Sequence, residues 1–290
     1  MPTKIFLIIV AIYSYFALTT LLDFHKFSYV VTSLAICLVA TIIFISCIFL
    51  LGRKMKRYDI IDAAWGPTFI VVALTSFFIS YQTTHYLNVC MLVVLLVIIW
   101  GGRLSWHIGR RILNSSSEDP RYTELRKNWK GNVGFNVYFR VYIVQAILAT
   151  TICIPVIHIN LFNGSAWTIF TWIGLVIWCI GFIFEVIGDS QLKKFVSNKN
   201  NRGKIMQSGL WRYSRHPNYF GEITQWWGIG IIAIGVMPWW VGLIGPLTIT
   251  FLILYISGIP PSEKRFEGRA GWSEYKAKTS VLVPLPVKKV

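Results

Sequence analysis

Hydrophobic positions along the chain gather into uncharged runs of about the length a helix needs, roughly 20 residues, to cross a bilayer core about 30 Å thick. Eight such runs occur, at roughly 5–22, 29–51, 60–81, 87–109, 136–158, 166–187, 219–236 and 238–258. The last two divide one apolar stretch at Met237-Pro238-Trp239-Trp240, because proline disrupts a continuing helix. One bent helix there, and seven spans in all, is the alternative. The pattern predicts an all-α fold: a polytopic membrane bundle of about eight transmembrane helices, forming a single integral membrane domain over 1–290.

The polar positions between the runs set the expected orientation. With eight spans, 25 of the 28 Lys and Arg residues fall on one side. They are Lys4, the cluster Arg53, Lys54, Lys56 and Arg57, and the basic residues of 110–135, 188–218 and the tail. Lys26 falls on the other side, and Arg103 and Arg140 lie within or at the ends of spans. Basic residues collect in cytoplasmic loops near membrane ends, so both termini are expected in the cytoplasm. A seven-span order would move one large basic segment across. The first run is longer than a typical signal-peptide core of about 7–15 residues. No small-x-small cleavage site follows it before Asp23, His25 and Lys26, so it is expected to be a span.

Composition narrows the class further. The chain of 290 residues is 55% hydrophobic, 16% aromatic and 14% charged, with a net charge of +16. A soluble domain carries about a quarter charged residues, so an ordinary soluble enzyme, a disordered chain and a disulfide scaffold are all excluded. Cys37, Cys47, Cys90, Cys153 and Cys179 lie inside apolar runs and read as buried small hydrophobes. The chain lacks zinc-ligand spacing, HExxH, a Walker A loop and GxGxxG, so no metal site is expected. The basic residues are tied to membrane loops, which disfavours a nucleic-acid partner.

Chemistry concentrates at the ends of the spans. Asp62, Glu185, Asp189 and Glu222 lie at expected cytoplasmic ends, where ionisable groups are costly and are functional candidates. The densest segment is 185–228. It opens with Lys193, Lys194, Lys199, Arg202 and Lys204 interleaved with Asn198, Asn200 and Asn201, a pattern that anionic lipid headgroups would also explain. Arg212, Tyr213, Arg215, His216, Asn218, Tyr219 and Glu222 follow. Arginine forks and lysine charges suit a polyanionic cofactor. Pro217 can start a helix on which Asn218, Gly221, Glu222 and Gln225 share one face, and such a polar stripe is expected to line a cavity. Gly221 and Gly228 would allow close approach of a ligand or, equally, of another helix. Glu222 and Tyr219 stand as proton donors to a substrate carbonyl. Asp62 heads span three in Asp62-Ala-Ala-Trp65-Gly66, and Arg103 lies one turn from His107. The stretch from Glu118 to Trp129 and the tail from Glu263 to Tyr275 either close over a site or lie along the interface.

The run Lys204-Ile-Met-Gln-Ser-Gly-Leu-Trp-Arg-Tyr-Ser-Arg-His-Pro-Asn-Tyr-Phe-Gly-Glu222 resembles the C-terminal signature of the steroid 5-alpha-reductase superfamily. It is most similar to the bacterial branch named domain of unknown function 1295. The likeness includes Asp62-Ala-Ala-Trp-Gly66, Trp100-Gly-Gly-Arg103 and Asp189-Ser-Gln-Leu-Lys193, so a core over 60–290 is covered. The resemblance implies a reductase of the bacterial inner membrane, its cofactor site facing the cytoplasm, that moves hydride from NADPH to the C=C of an enone in a steroid-like or other lipid substrate. It places Asn218 on the nicotinamide amide and Glu222 near the substrate carbonyl. Asp189, Arg103, Lys204 and Arg212 or Arg215 would surround the cofactor, with Asp62 as the acidic partner on an early helix.

A second resemblance leads to another reaction. Arg215-His216-Pro217-x-Tyr219 followed by Glu263 is also similar to isoprenylcysteine and phospholipid methyltransferases, which bind S-adenosylmethionine between membrane helices. Two features depart from it: the Asn-Tyr-Phe-Gly-Glu sequence, and acidic residues at Glu263 and Glu267 that are not adjacent. A lipid-binding membrane protein without catalysis is the third class.

Overall fold

Proline, glycine and the distribution of charge decide where the apolar runs become separate helices. A computed structural model of the chain describes residues 24–81, 88–115, 117–127, 129–162 and 167–288. Two compact units divide at Trp167–Thr168. The described helices of the first are α1 (Phe24–Met55), α2 (Ile60–Tyr81), α3 (Asn88–Leu113), α4 (Pro120–Lys127), α5 (Val133–Ile152) and α6 (Ile154–Phe162). Those of the second are α7 (Ile169–Ser197), α8 (Pro217–Ile234), α9 (Val241–Tyr255), α10 (Ile259–Lys264) and α11 (Trp272–Lys278). The described residues contain no β-strand, only one isolated bridge between Ser214 and Ser280.

Six helical segments among the described residues are long and apolar enough to cross a membrane: Ser28–Met55, Ile60–Tyr81, Asn88–Leu113, Val133–Ile152, Ile169–Ser197 and Val241–Lys264. They take up six of the eight expected runs. The run 5–22 lies outside the described residues. The run 219–236 is a helix, α8, but Asn218, Glu222 and Gln225 make it too polar to stand among the six. Their lipid-type surfaces are evident in large exposed apolar side chains, such as Ile43 (60%) and Leu50 (61%) on α1 and Ile169 (66%) and Val176 (58%) on α7, far more than a water-soluble surface tolerates.

Two boundaries depart from the sequence reading. The run 136–158 is not one helix, because α5 ends at Ile152 and α6 restarts at Ile154. Pro155, which lacks an N–H, sits in the first turn of α6, where no intrahelical donor is required. The basic segment 188–218 is not all loop either. No breaker follows Gly188 until Asn198, so α7 runs on to Ser197 and carries Asp189, Gln191 and Lys193 on helical turns. The expected break at Met237–Trp240 does occur, since α8 ends at Ile234 and α9 begins at Val241.

Glycine governs the tightest packing in each unit. In the first, α2 meets α3 at Gly66 and Gly101, where a Cβ built on Gly66 would lie 2.1 Å from the Gly101 carbonyl oxygen. The motifs Asp62–Gly66 and Trp100–Arg103 therefore meet at a helix crossing, with Phe69 set edge-on between Trp65 and Trp100. In the second, α7 and α8 run antiparallel with Gly174 against Gly228 and Gly181 against Gly221. A Cβ on Gly221 would lie 2.5 Å from both the Gly181 oxygen and the Glu185 nitrogen. Small residues let membrane helices approach this closely.

Candidate functional site

The second unit builds its polar centre where α8 begins. His216 precedes the helix and Pro217 occupies its first turn, a position that needs no N–H donor. Before it, residues 209–216 are held on both flanks. Leu210 N donates to Gln191 Oε1 at 2.9 Å and Trp211 Nε1 to the Gly188 carbonyl at 3.1 Å, both on α7. From the tail, Tyr275 donates its hydroxyl to the Trp211 carbonyl at 2.5 Å, and Arg215 N donates to the Ser280 carbonyl at 2.8 Å. Burial pushes the Tyr275 hydroxyl above its usual range, so it stays a donor.

Across the α7–α8 crossing, polar side chains pair in steps. Asn218 Nδ2 donates to Asp189 Oδ1 at 3.1 Å, and two turns deeper Gln225 Nε2 donates to Glu185 Oε2 at 2.5 Å. A carboxylate only accepts, so each amide must turn its NH2 towards its acid and its carbonyl oxygen away. Those oxygens, Asn218 Oδ1 and Gln225 Oε1, are buried without a hydrogen-bond partner, a state that ordinarily costs about 1–3 kcal/mol. Tyr219 and Glu222 are half-buried on the same helix, and the Tyr219 ring stacks on His216 with centroids 5.4 Å apart.

Glu263, on α10, gathers the two residues ahead of α8. It accepts from Arg215 Nε at 2.8 Å and lies 3.2 Å from His216 Nε2. Arg215 is 8% exposed and sends Nη1 to the carbonyls of Lys276 and Thr279. Burial lowers the His216 pKa, outweighing the opposing pull of Glu263, so the ring is neutral near pH 7.

The expected site residues thus separate by environment. Asp189, Arg215 and His216 are buried; Asn218, Tyr219 and Glu222 are half-buried; Lys193, Asn198, Arg202, Lys204, Arg212 and Tyr213 are exposed. Arg212 also lines a shallow cleft of about 380 Å³ with Gln207, Ser208, Glu274 and Lys278. Asp62 and the half-buried Arg103 belong to the first unit. There the Asp62 carboxylate accepts from Arg121 Nη2 and from the Tyr122 hydroxyl, both at 2.6 Å, which ties the 118–129 stretch down onto α2. The polar stripe of α8 does not stand clear of its neighbours: Gly221 and Gln225 pack on α7, so helix packing is what Gly221 and Gly228 serve. The sequence reading missed the Glu185–Gln225 pair and the role of Glu263 at α8. A glutamine at i+7 from Asn218 was the available signal for the first.

An all-helical membrane-type protein with a polar centre at the head of one helix is the class these features define. Residues 48–279 match the family described as protein of unknown function (DUF1295), and the chain belongs to that family, which lies within the steroid 5-alpha-reductase superfamily. An uncharacterized protein of Schizosaccharomyces pombe is 23% identical over 257 residues, 77% of this chain and 74% of that protein. The 3-oxo-5-alpha-steroid 4-dehydrogenase 1 of Bos taurus is 29% identical over 66 residues, 23% of this chain and 26% of that enzyme. The enzyme of the same name from Macaca fascicularis is 26% identical over 112 residues, covering 39% and 40%. The chain therefore spans well under half of either dehydrogenase. No solved structure matches it. This distant similarity supports a membrane oxidoreductase and does not favour the methyltransferase alternative.

Proposed function

We propose that the protein is an NADPH-dependent reductase that adds hydride to the C=C of an enone in a steroid-like or other lipid substrate. The observation that carries this reading is the buried Asn218 Oδ1, which has no partner while Asp189 holds the other end of the same amide. An acceptor oriented in this way fits a carboxamide N–H, the group that distinguishes a nicotinamide ring. The residues present therefore fit the cofactor, which when bound supplies the hydride.

The chain's own groups divide the remaining work. Asp189 keeps the Asn218 amide from rotating. Lys193, Asn198, Arg202, Lys204, Arg212 and Tyr213, all exposed and all on the segment that leads into α8, supply charge and donors for phosphate groups. Arg215 and His216 act from beneath, because Glu263 and the tail carbonyls fix the backbone from which Asn218 and Tyr219 project. Glu222, one turn beyond Asn218, and Tyr219 donate to the substrate carbonyl. As hydride reaches the β-carbon, the electron pair of the C=C shifts towards that oxygen, which accepts the proton. Arg103 and Asp62 are the first unit's candidates for cofactor and substrate.

Thermal melting of the purified protein tests the cofactor, because a ligand at about 100 times its Kd adds about 2.7 kcal/mol to the native state. NADPH is expected to raise Tm more than NADH does, and Asn218→Leu to weaken NADPH about tenfold by leaving the carboxamide unpaired. Stabilisation by S-adenosylmethionine and not by NADPH would overturn the reading. Glu222→Gln is expected to keep NADPH binding while slowing enone reduction about a hundredfold; a wild-type rate removes Glu222 from the chemistry.

A further inference from the structure

A second cleft, of about 370 Å³, opens in the first unit, and none of the residues of the proposed reaction lines it. Its walls include Phe49 and Arg53 of α1, Tyr58 of the following turn, Asn132, and Tyr138 and Phe139 of α5. Phe49 packs at the base, 5.9 Å from the Tyr58 ring and 5.0 Å from the Tyr138 ring. The wall is aromatic; the Tyr138 hydroxyl is engaged with Ser46 Oγ at 2.8 Å, but three other donors on it are unused. Arg53 forms no ion pair among the described residues, and neither the Tyr58 hydroxyl nor Asn132 Nδ2 makes a hydrogen bond there. The Asn132 side chain employs only its Oδ1, which accepts from Phe135 N at 3.0 Å.

The nearby acids do not offset this charge. Asp59 is gripped by the Arg57 fork and accepts from Asp119 N, and Glu118 pairs with Arg126 and accepts from Tyr58 N. Burial would raise the Asp59 pKa, yet the hydrogen bond from Arg57 brings it below the usual carboxylate range, so it remains an anion committed to Arg57. The cleft thus presents one uncompensated guanidinium and two neutral donors.

Its place along the apolar segments identifies the occupant. Arg53 lies in the last turn of Ser28–Met55, and Asn132 immediately precedes Val133–Ile152. Both line one cleft, so it stands where hydrocarbon gives way to headgroups. Phe135 and Phe139, 63% and 48% exposed, continue from it along the apolar length of α5. A free anion has no use for that extension. We propose that this cleft binds one anionic phospholipid, its phosphate on Arg53, Tyr58 and Asn132 and its glycerol and acyl carbons along Phe135 and Phe139.

Native mass spectrometry of the full chain in detergent, with added phosphatidylglycerol or phosphatidylcholine, tests this. One phosphatidylglycerol is expected to be retained about tenfold more than phosphatidylcholine, whose trimethylammonium offsets the phosphate charge that Arg53 would pair with. Arg53→Gln should abolish that preference, Tyr58→Phe should reduce it, and Lys54→Gln, exposed but outside the cleft, should leave it intact. Equal retention of the two lipids by the wild type would overturn the proposal, as would full retention by a folded Arg53→Gln protein. Displacement of the lipid by millimolar inorganic phosphate would assign the cleft to a free anion instead. Melting curves check that each variant is folded, and Arg53→Lys, which keeps the charge without the fork, should retain a weakened preference if Arg53→Gln is unstable.

Discussion

Glu263 is a single carboxylate that neutralises Arg215 and touches His216, both nearly buried. Breaking a buried pair by removing one partner costs about 3–5 kcal/mol, because the other charge is left uncompensated. Glu263→Gln is accordingly expected to lower stability by about 3 kcal/mol in a denaturation series, with residues 209–216 loosened first. His216 gives a pH signature. Its pKa is depressed in the folded state by burial, so below about pH 6.5 the unfolded chain binds the extra proton and the folded chain resists it. The stability it contributes is complete above that pH and declines as pH falls through the folded value. Melting between about pH 7.5 and 5 should therefore show a smaller loss in His216→Gln than in wild type; an equal loss would mean that another group sets the slope. At this scale the sequence marks Arg215 and His216 as chemically rich but not what they face. Their carboxylate lies 48 and 47 positions downstream, beyond any local spacing. Asn218 and Asp189, 29 positions apart, are legible as candidates on separate motifs, and only the α7–α8 crossing makes them a pair.

Between the elements, glycine spacing controls how closely α7 and α8 approach. Gly174 and Gly181, like Gly221 and Gly228, repeat every seven residues, and a side chain at Gly221 would meet backbone on α7 at 2.5 Å. Gly221→Val must push the helices apart, with an expected cost of about 2–3 kcal/mol and loss of the Asn218–Asp189 and Gln225–Glu185 contacts. Gly102→Ala is the control. A Cβ there meets nothing within 4 Å, and replacing a helical glycine should raise stability by up to about 1 kcal/mol. The opposite signs are read in one melting experiment, and a neutral Gly221→Val would refute the close crossing. Helix starts and stops governed by proline were legible, as at Pro217 and after Ile234. The extension of α7 to Ser197 was not, since polar residues at a membrane boundary suit both a loop and a last helical turn.

For the whole molecule, charge and apolarity make one prediction together. If the basic segments at 110–135, 188–218 and the tail share the cytoplasmic side, a cysteine at Lys204 or Arg269 should react with an impermeant thiol reagent only in inverted vesicles. One at Met237, exposed between α8 and α9, should react from the opposite side. Labelling of all three from one side would reverse or break the expected order of spans. The sequence by itself determined that the chain is helical and membrane-type and that polar and basic residues crowd the segment leading into α8, because crossing length, charge asymmetry and helix punctuation are written in consecutive residues. Tertiary structure alone decided which groups are held and which are left open. Pairing of Asn218 with Asp189, Glu185 with Gln225 and Arg215 with Glu263 depends on how closely helices pack, and the backbone approach that glycine permits is expressed only when two distant segments meet.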